Sequence, residues 1–554
     1  MKKLFYPFAL ALSAFLFVYS CSTDEDATPP PQFQQPTPEP EPEPEVSQFN
    51  LTVTAGEGGT VSTEGGTYDE GTQVNITATP AEGYGFIRWS DGQTDQSINY
   101  TINSNTSLTA VFEKKIFEVQ RTSIKIDIEN QRDFDRISEL FGPKGISGSL
   151  LFENESGIYY LAPGVVTCFN GECDNVRSST DVEPAPSFLL KKDSNGWVFH
   201  KKLDNLKTWG IRNIDRYENY ILLGDGNEIG SEWKGDIWLG EILQDNIAWN
   251  KVTVPETMAY YHDIAFGDLN DDNLIDIAGT QGKNIDGEID YNLFFQNQNK
   301  TFEIQPFKSL IKYSEEGYEK QSFSIAIADL NQDGVDEIIV CTKHISILEF
   351  NQSSKKFEVK WSVSHDQIYP EIGMNESFWG TSIKISDFNN DGISDISVAR
   401  EEVPVNNKIG ITSFDVWIGN GDLSFEPSFV KKYLDSEFMF REFEVMDVNQ
   451  DGNMDIVLKT NGLLGARKSP EYQIDNNDIR KGIKIDELIW INNGSGVFEK
   501  YFKEDFKLEG VYPRKVIPYM SQGRLHFAGS ITNQVQNDPN SVDIELFDIK
   551  LFIE

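Results

Sequence analysis

The stretch Asp329-Leu-Asn-Gln-Asp-Gly-Val-Asp-Glu337 lies between two apolar runs, Ser324-Ile-Ala-Ile-Ala328 and Ile338-Ile-Val-Cys341. Short apolar runs on either side of a polar segment that contains glycine predict a strand, a loop and a second strand. Three more copies of this pattern begin at Asp268, Asp387 and Asp447, so the loops recur about every 60 residues. A fixed period of this size predicts a repeat architecture.

Each period has room for four short strands. In the unit that contains Asp329, strand-like runs cover residues 324–328, 337–342, 345–350 and 357–362. Four short strands per repeat is the layout of a β-propeller blade. With weaker copies on both sides, the sequence predicts an all-β chain in which residues 115–554 form a seven-bladed β-propeller; six or eight blades remain alternatives. The apolar run near 117–128 would add a strand to the terminal blade and close the ring, which removes exposed sheet edges.

The four loops carry oxygen ligands at a regular spacing. Positions are counted from the first aspartate of each loop, such as Asp329. Residues with side-chain oxygens occupy positions 1, 3, 5 and 9, and position 7 offers a backbone carbonyl. Glycine at position 6 permits a sharp turn. Calcium takes about six to eight oxygen ligands, and it suits this set better than magnesium or zinc. The predicted ligands are Asp268, Asn270, Asp272, Leu274, Asp276; Asp329, Asn331, Asp333, Val335, Glu337; Asp387, Asn389, Asp391, Ile393, Asp395; and Asp447, Asn449, Asp451, Asn453, Asp455.

The alternative interpretation is four Asx turns without metal, which would leave three carboxylates crowded together in each loop. One loop also departs from the pattern, since Asn273 replaces the glycine at position 6. Asparagine tolerates the left-handed backbone conformation better than most residues. We therefore expect this loop to keep its metal site.

The repeated strand–loop–strand pattern D-x-N-x-D-(G/N)-x-x-(D/E) resembles the FG-GAP or VCBS repeat of integrin-α-like propellers. The resemblance implies structural calcium in the loop between the first two strands of a blade, and a ligand site on the opposite face. Residues entering the first strands would line that face. The candidates are Tyr261, His262, Tyr318, Trp379, Arg441, Tyr512 and Arg514. Aromatic rings stack on sugars and arginine pairs with carboxylate or sulfate, which favours an acidic polysaccharide; alternatively, the aromatic side chains fill the gaps between blades.

The N-terminus has the features of an export signal. Two lysines precede the apolar segment 4–20, and Cys21 follows it directly in Val18-Tyr-Ser-Cys21. This ending resembles the lipobox of bacterial lipoproteins, which implies a signal peptide at 1–20 and a lipid on Cys21. The acidic run that follows resembles the surface-export signal of Bacteroidota lipoproteins and implies the outer face of the outer membrane. Residues 21–47 are rich in proline and glutamate and predict an extended stalk.

Residues 48–114 contain short alternating runs separated by glycine turns. Their order, which ends in EGYGFIRWSDG and LTAVFE, resembles the divergent internalin B-repeat of bacterial surface proteins. The resemblance implies a small β-rich spacer or adhesion domain. We expect Trp89 to lie in its core.

Composition limits the possible partners and activities. The chain has 88 acidic and 48 basic residues, a net charge of −40, and such a surface would repel nucleic acid. None of the five histidines falls in a recognisable catalytic motif, and no catalytic residue is predicted. The favoured function is therefore ligand binding, most directly of a glycan. The alternatives are a polysaccharide lyase on the same scaffold and an adhesin or assembly subunit that binds a surface protein.

The four cysteines have different expected roles. Besides Cys21, Cys168 and Cys173 lie close together in a turn-like sequence. An exported protein could join them in a disulfide, and the alternative is two unpaired thiols. Cys341 follows an apolar run, so we expect a buried thiol in the core.

Overall fold

The computed structural model describes residues 46–127, 148–164, 184–217, 219–229, 232–252, 261–283, 289–306, 324–341, 344–364, 367, 378–402, 411–434, 440–460, 483–484, 488–502, 507–508, 516–531 and 541–553. In these ranges the regular secondary structure consists of β-strands. No helix within them has the length and apolar character needed to cross a membrane.

The N-terminal domain has seven strands in two sheets, one of four strands in the order β3-β1-β7-β5 and one of three in the order β2-β4-β6. Alternate residues of these strands face inward, and Trp89 is fully buried, as predicted. Its indole nitrogen donates a hydrogen bond to the carbonyl of Asp95 at 3.0 Å. The strands are β1 (Gln48–Ala55), β2 (Gly59–Val61), β3 (Gly65–Asp69), β4 (Gln73–Pro80), β5 (Tyr84–Trp89), β6 (Ser97–Thr101) and β7 (Thr106–Lys114).

The described residues of the C-terminal region form seven four-stranded antiparallel sheets, numbered here as blades 1 to 7, and two small two-stranded sheets. The seven larger sheets confirm the predicted fold class. An eighth strand of the chain, β8 (Phe117–Asp127), precedes blade 1. Blade 1 comprises β9 (Leu150–Asn154), β10 (Gly157–Ala162), β11 (Ala185–Asp193) and β12 (Gly196–Thr208). Blade 2 comprises β13 (Ile211–Tyr217), β14 (Tyr220–Asp225), β17 (Ile237–Ile242) and β18 (Ile247–Val252), with the added hairpin β15 (Asn227–Ile229) and β16 (Glu232–Lys234).

The next three blades contain the first three of the four aspartate-rich loops. Blade 3 comprises β19 (Tyr261–Gly267), β20 (Asp276–Lys283), β21 (Ile289–Gln296) and β22 (Phe302–Pro306). Blade 4 comprises β23 (Ile325–Ala328), β24 (Glu337–Cys341), β25 (His344–Asn351) and β26 (Lys356–Ser364). Blade 5 comprises β27 (Phe378–Ser386), β28 (Asp395–Glu402), β29 (Ile411–Gly419) and β30 (Phe425–Leu434).

The last two blades complete the series. Blade 6 comprises β31 (Phe440–Met446), β32 (Asp455–Thr460), β34 (Ile489–Asn492) and β35 (Phe498–Lys500), beside a separate two-stranded sheet of β33 (Ile483–Lys484) and β36 (Lys507–Leu508). Blade 7 comprises β37 (Val516–Ser521), β38 (Arg524–Ile531), β39 (Ser541–Leu551) and the distant strand β8.

Burial explains the sequence pattern of the blades. All five residues of β24 are buried, whereas the outer strand β26 of the same blade has one buried residue, Phe357, among half-buried and exposed ones. A strand covered on both faces reads as a continuous apolar run, and a half-exposed strand alternates. For the same reason Cys341, at the end of β24, is a fully buried thiol, as predicted.

Strand β8 closes the ring of blades, as the apolar run near its position predicts. It pairs antiparallel with β39 along its whole length, from Phe117 opposite Leu551 to Asp127 opposite Ser541. An apolar cluster joins blade 7 to blade 1, and equivalent clusters join every other neighbouring pair. Representative pairs, in order from blades 1 and 2 to blades 7 and 1, are Leu161 and Leu223, Leu222 and Phe266, Leu293 and Ile338, Ile347 and Val398, Phe414 and Trp490, Leu458 and Phe527, and Leu546 and Leu190.

A polar network reinforces the contact between blades 7 and 1. Lys192 of β11 reaches across to the carboxylate of Asp548, and it also donates to the hydroxyl of Tyr519 at 2.7 Å. His526 Nδ1 lies 3.1 Å from the other oxygen of Asp548. Burial alone would raise the pKa of Asp548, but the bond to His526 and the charge of Lys192 outweigh burial and lower it.

A fully buried ion pair lies inside blade 5. Arg400 of β28 donates from Nε and from one terminal nitrogen to the two carboxylate oxygens of Asp415 on β29, at 2.9 and 3.1 Å. Both side chains are completely buried, and the indole of Trp417 donates a further hydrogen bond to Asp415. Two parallel bonds of this kind fix the relative position of the strands as well as neutralise both charges.

Candidate metal centre

The four loops share one backbone conformation, which the aspartate at position 1 organises. In blade 4, Asp329 accepts hydrogen bonds from the amides of Asp333 at 3.1 Å and Gly334 at 2.9 Å. The corresponding aspartates of blades 3, 5 and 6 accept from the amides at the same two positions. Each loop therefore curves around the carboxylate at position 1. The other oxygen-bearing side chains occupy the same positions relative to this carboxylate in all four loops.

Position 6 adopts a left-handed backbone in all four loops, as the sequence predicts. Its φ is +89° at Gly334, +82° at Gly392 and +90° at Gly452. Asn273 adopts the same conformation with φ of +59°, which confirms that asparagine replaces glycine there without changing the turn.

Position 4 is also left-handed, which the sequence pattern did not lead us to expect. Its residues have φ of 61° or 62° and are Asp271, Gln332, Asn390 and Gln450. Two of the four are Asp or Asn, the non-glycine residues that most often adopt this conformation. From that preference, the left-handed backbone at position 4 could have been predicted in these two loops.

The side chains at position 4 connect three of the loops to the next blade. Gln332 donates to the carbonyl of Gly392, which is position 6 of the following loop. Asn390 donates to the side-chain oxygen of Asn453 at 2.7 Å, and Gln450 donates to the carbonyl of Gly523 in blade 7 at 2.6 Å. The loops therefore form a connected row along blades 4 to 7.

The carboxylate at position 9 is buried, and in three loops it ties the loop to the third strand of its blade. In blade 5, one oxygen of Asp395 accepts from the amide of Phe388 at 2.7 Å and the other accepts from Gly419 at 2.8 Å. Asp276 and Asp455 make the equivalent pair of bonds. Burial and the neighbouring carboxylates outweigh these bonds and raise the pKa to about 7 for Asp276 and about 6 for Asp395 and Asp455.

Blade 4 differs because position 9 is the longer Glu337. Its Oε2 accepts from the amide of Leu330 at 2.8 Å, but its Oε1 is buried with no hydrogen-bond partner among the described residues. Burial, supplemented by the carboxylates of Asp333 and Asp329, raises the pKa of Glu337 to about 8. A buried oxygen without a donor is costly unless a cation or a proton satisfies it.

Oxygen atoms of three acidic residues converge around this position. One carboxylate oxygen from each of Asp333, Glu337 and Glu349 lies within 4.8 Å of the others. The group is a set of hard oxygen donors of the kind that binds divalent cations such as calcium. These residues therefore fit a metal ion, and Glu349, on the third strand, is a member that the loop pattern did not predict.

The structure corrects one residue of the predicted ligand face. Tyr261 is fully buried and packs in the apolar cluster between blades 2 and 3, with its ring 6.3 Å from that of Phe294. Burial raises the pKa of its hydroxyl. Tyr261 fills the gap between two blades, the alternative role considered for these aromatic residues, and is not accessible to a ligand.

The remaining predicted residues outside the loops fall where the structure gives no description. The side chains of His262, Trp379 and Arg441 lie outside the described part of the chain. So do the whole residues Tyr318, Tyr512, Arg514, Cys21, Cys168 and Cys173. Their roles remain predictions from the sequence.

Comparisons with known proteins agree with the two-part organisation. Residues 49–116 match the model of the divergent InlB B-repeat domain. None of the curated proteins compared with this chain matches its sequence.

Three solved structures resemble the chain at a distance. One is a hypothetical selenium-binding protein from Sulfolobus tokodaii, with 9% identity, a TM-score of 0.34, and coverage of 65% of this chain and 76% of that one. The Dos1 propeller has 9% identity, a TM-score of 0.33, and coverage of 73% and 93%. A complex of BT0996 with RGII has 8% identity, a TM-score of 0.28, and coverage of 60% and 85%. Residues 49–116 thus resemble a divergent InlB B-repeat domain, and the described residues that follow form seven propeller-like four-stranded sheets.

Proposed function

We propose that this protein is a surface lipoprotein whose β-propeller is stabilised by calcium and binds an extracellular ligand, with an acidic polysaccharide as the first candidate. The observation that carries the calcium part is Glu337, whose buried Oε1 has no partner in the described ranges and whose carboxylate lies beside those of Asp333 and Glu349. It belongs to one of four loops with the same conformation and the same set of oxygen donors.

Charge balance supports a divalent cation in these loops. Each loop brings together three carboxylates at its predicted ligand positions. The hydrogen bonds described within the blade 4 loop come from backbone amides and from the side-chain amide of Asn331, not from lysine or arginine. Calcium would replace the missing positive charge and accept a ligand set of carboxylates, an amide oxygen and a carbonyl. The resemblance of the loops to FG-GAP or VCBS repeats supports the same ion.

Thermal unfolding of the full chain tests the calcium proposal. Protein stripped with a chelator should melt at a lower temperature than protein with excess calcium, because an ion that binds only the folded state stabilises it by about 2.7 kcal/mol at a hundred times its Kd. Magnesium at the same concentration should restore less of the loss. If chelation leaves the melting temperature unchanged, the loops are not structural calcium sites.

The location is proposed from the N-terminal sequence. Cys21 would carry the lipid, residues 1–20 would be removed, and residues 21–47 would hold the propeller away from the membrane. Fatty-acid labelling of cells that express the wild type and Cys21→Ala tests the anchor, and only the wild type should be labelled. Added protease should degrade the wild-type protein on intact cells, and full protection would contradict surface exposure.

The ligand is proposed from the basic and aromatic residues that enter the first strands, among them Arg441, Trp379 and Arg514. Binding to a glycan array should favour acidic polysaccharides and weaken in Arg441→Ala. A product that absorbs ultraviolet light would instead identify a lyase. Capture of a surface protein with no glycan bound would support an adhesin.

A further inference from the structure

We infer that the metal site of blade 4 is built differently from the other three, with Glu349 as an additional ligand that makes it the tightest calcium site. The inference rests on the proposed function, because it requires that the loops bind calcium. It extends the site from the nine-residue loop to the third strand of the blade.

The first step is the residue at position 9. In the other three loops, both oxygens of the aspartate accept backbone amides, one from position 2 of the loop and one from the third strand. Glu337 keeps the bond from Leu330 at position 2. Its other oxygen, Oε1, is buried, and no donor from the described part of the chain reaches it. A carboxylate oxygen of Glu337 also lies within 4.8 Å of oxygens of Asp333 and Glu349.

The second step is the residue that faces position 9 across the sheet. The strand register places Glu349 opposite Glu337 in blade 4, because Ile338 pairs with Leu348. The same register in the other blades gives apolar residues at this place, which are Phe295, Ile418 and Ile491. Blade 4 is therefore the one of these four blades in which position 9 is a glutamate and the residue opposite it on the third strand is also acidic.

The surrounding charges are consistent with a cation at this point. Lys360 Nζ lies 2.5 Å from Oε2 of Glu349 and 3.9 Å from Glu358. A carboxylate has two oxygens, so the lysine can hold one of them while the other is available to a metal. Lys360 neutralises Glu349 in part, yet it does not donate to Oε1 of Glu337.

The consequence is a difference in affinity. At the predicted ligand positions the blade 4 loop offers Asp329, Asp333 and Glu337, and Glu349 would bring the number of carboxylates to four. The corresponding positions of blades 3, 5 and 6 offer three carboxylates each. Calcium affinity in oxygen sites rises with the number of charged ligands. Blade 4 should therefore fill first as calcium is added.

Calorimetric titration of metal-free full-length protein with calcium tests the inference. The wild type should show one site tighter than the rest, and Glu349→Gln should weaken that site about tenfold or more while leaving the others unchanged. Glu358→Gln is the matched control, since Glu358 also lies near Lys360 but outside the cluster. Glu337→Asp is a second variant, which converts position 9 to the residue of the other loops and should also remove the tight site.

Melting temperatures separate a ligand from a merely structural residue. Glu349→Gln removes a repelling charge from the cluster but also a partly exposed ion pair with Lys360, which is worth little. The metal-free variant should therefore be about as stable as the metal-free wild type, while its gain in melting temperature on adding calcium should shrink. The inference is overturned if Glu349→Gln and Glu358→Gln both bind as many calcium ions as the wild type and with the same affinities. A wild type that binds no calcium would overturn the proposed function as well, so the two failures are distinguishable.

Discussion

Replacement of Ile124 by alanine should loosen the strand that closes the propeller. Ile124 of β8 is 5% exposed, lies opposite the fully buried Ile544 of β39, and packs in the cluster that joins blades 7 and 1. Truncation of a buried isoleucine to alanine costs about 2–5 kcal/mol, through lost burial and the cavity left behind. Since each 1.4 kcal/mol is a factor of ten, local release of β8 should become about 30-fold to several thousandfold more frequent.

Hydrogen exchange measures this release directly, because amides of β39 that bond to β8 exchange when the two strands separate. In Ile124→Ala, the amides in peptides covering Ser541–Leu551 should exchange about 30-fold to several thousandfold faster than in the wild type. Ser123→Ala is the control, since Ser123 is the exposed neighbour on the same strand. Equal protection in the two variants would refute the role of β8 as the strand that holds the ring closed.

Three other changes test further parts of the propeller. Arg400→Met would leave the buried carboxylate of Asp415 without its guanidinium partner, so the free energy of unfolding in urea should fall by about 3–5 kcal/mol. A fall of less than about 1 kcal/mol, which is typical of surface ion pairs, would contradict the pairing. The methyl group added by Gly392→Ala meets no described atom within 4 Å. The free energy of unfolding in urea should therefore fall only by the cost of a left-handed backbone, about 1–2 kcal/mol, and an unchanged value would refute the conformation. The lowered pKa of Asp548 means that its charged form stabilises the fold above its ordinary pKa of about 3.9 and that this contribution disappears as pH falls through the lower folded-state value. The urea midpoint should therefore drop in acid by less in Asp548→Asn than in the wild type, and identical acid profiles would show that the network with Lys192 adds nothing.

Much of the fold follows from local patterns. The buried second strands read as apolar runs, the metal-loop pattern joins two strands of one blade, and the apolar run near 117–128 forms a strand. Each of these features is governed by residues close together in the chain. The left-handed turn at Asn273 was predictable for the same reason, since it depends on the preference of a single residue.

The ligand set around Glu337 was only partly predictable. The spacing within the loop identified Glu337 and Asp333, but Glu349 lies twelve residues beyond Glu337 on another strand, and only the register of β24 against β25 brings it to the site. Tyr261 was assigned to the ligand face because aromatic residues recur before the first strands. The structure places its ring in the core instead, because the packing of blade 2 against blade 3 leaves a gap that this side chain fills.

The repeat, the strand–loop–strand unit and the oxygen donors of each loop can all be read from the amino-acid order, because they depend on hydrophobic periodicity and on turn preferences over fewer than about twenty residues. Three features required the folded molecule: which acids share a site, which aromatic side chains are buried between blades, and which polar groups meet where blade 7 contacts blade 1. Those contacts depend on strand register and on packing between sheets, and they join residues such as Lys192 and Asp548 that are distant in the chain. The four aspartate-rich loops look alike as sequences, and the cross-strand position of Glu349 is what distinguishes the loop of blade 4 from the other three.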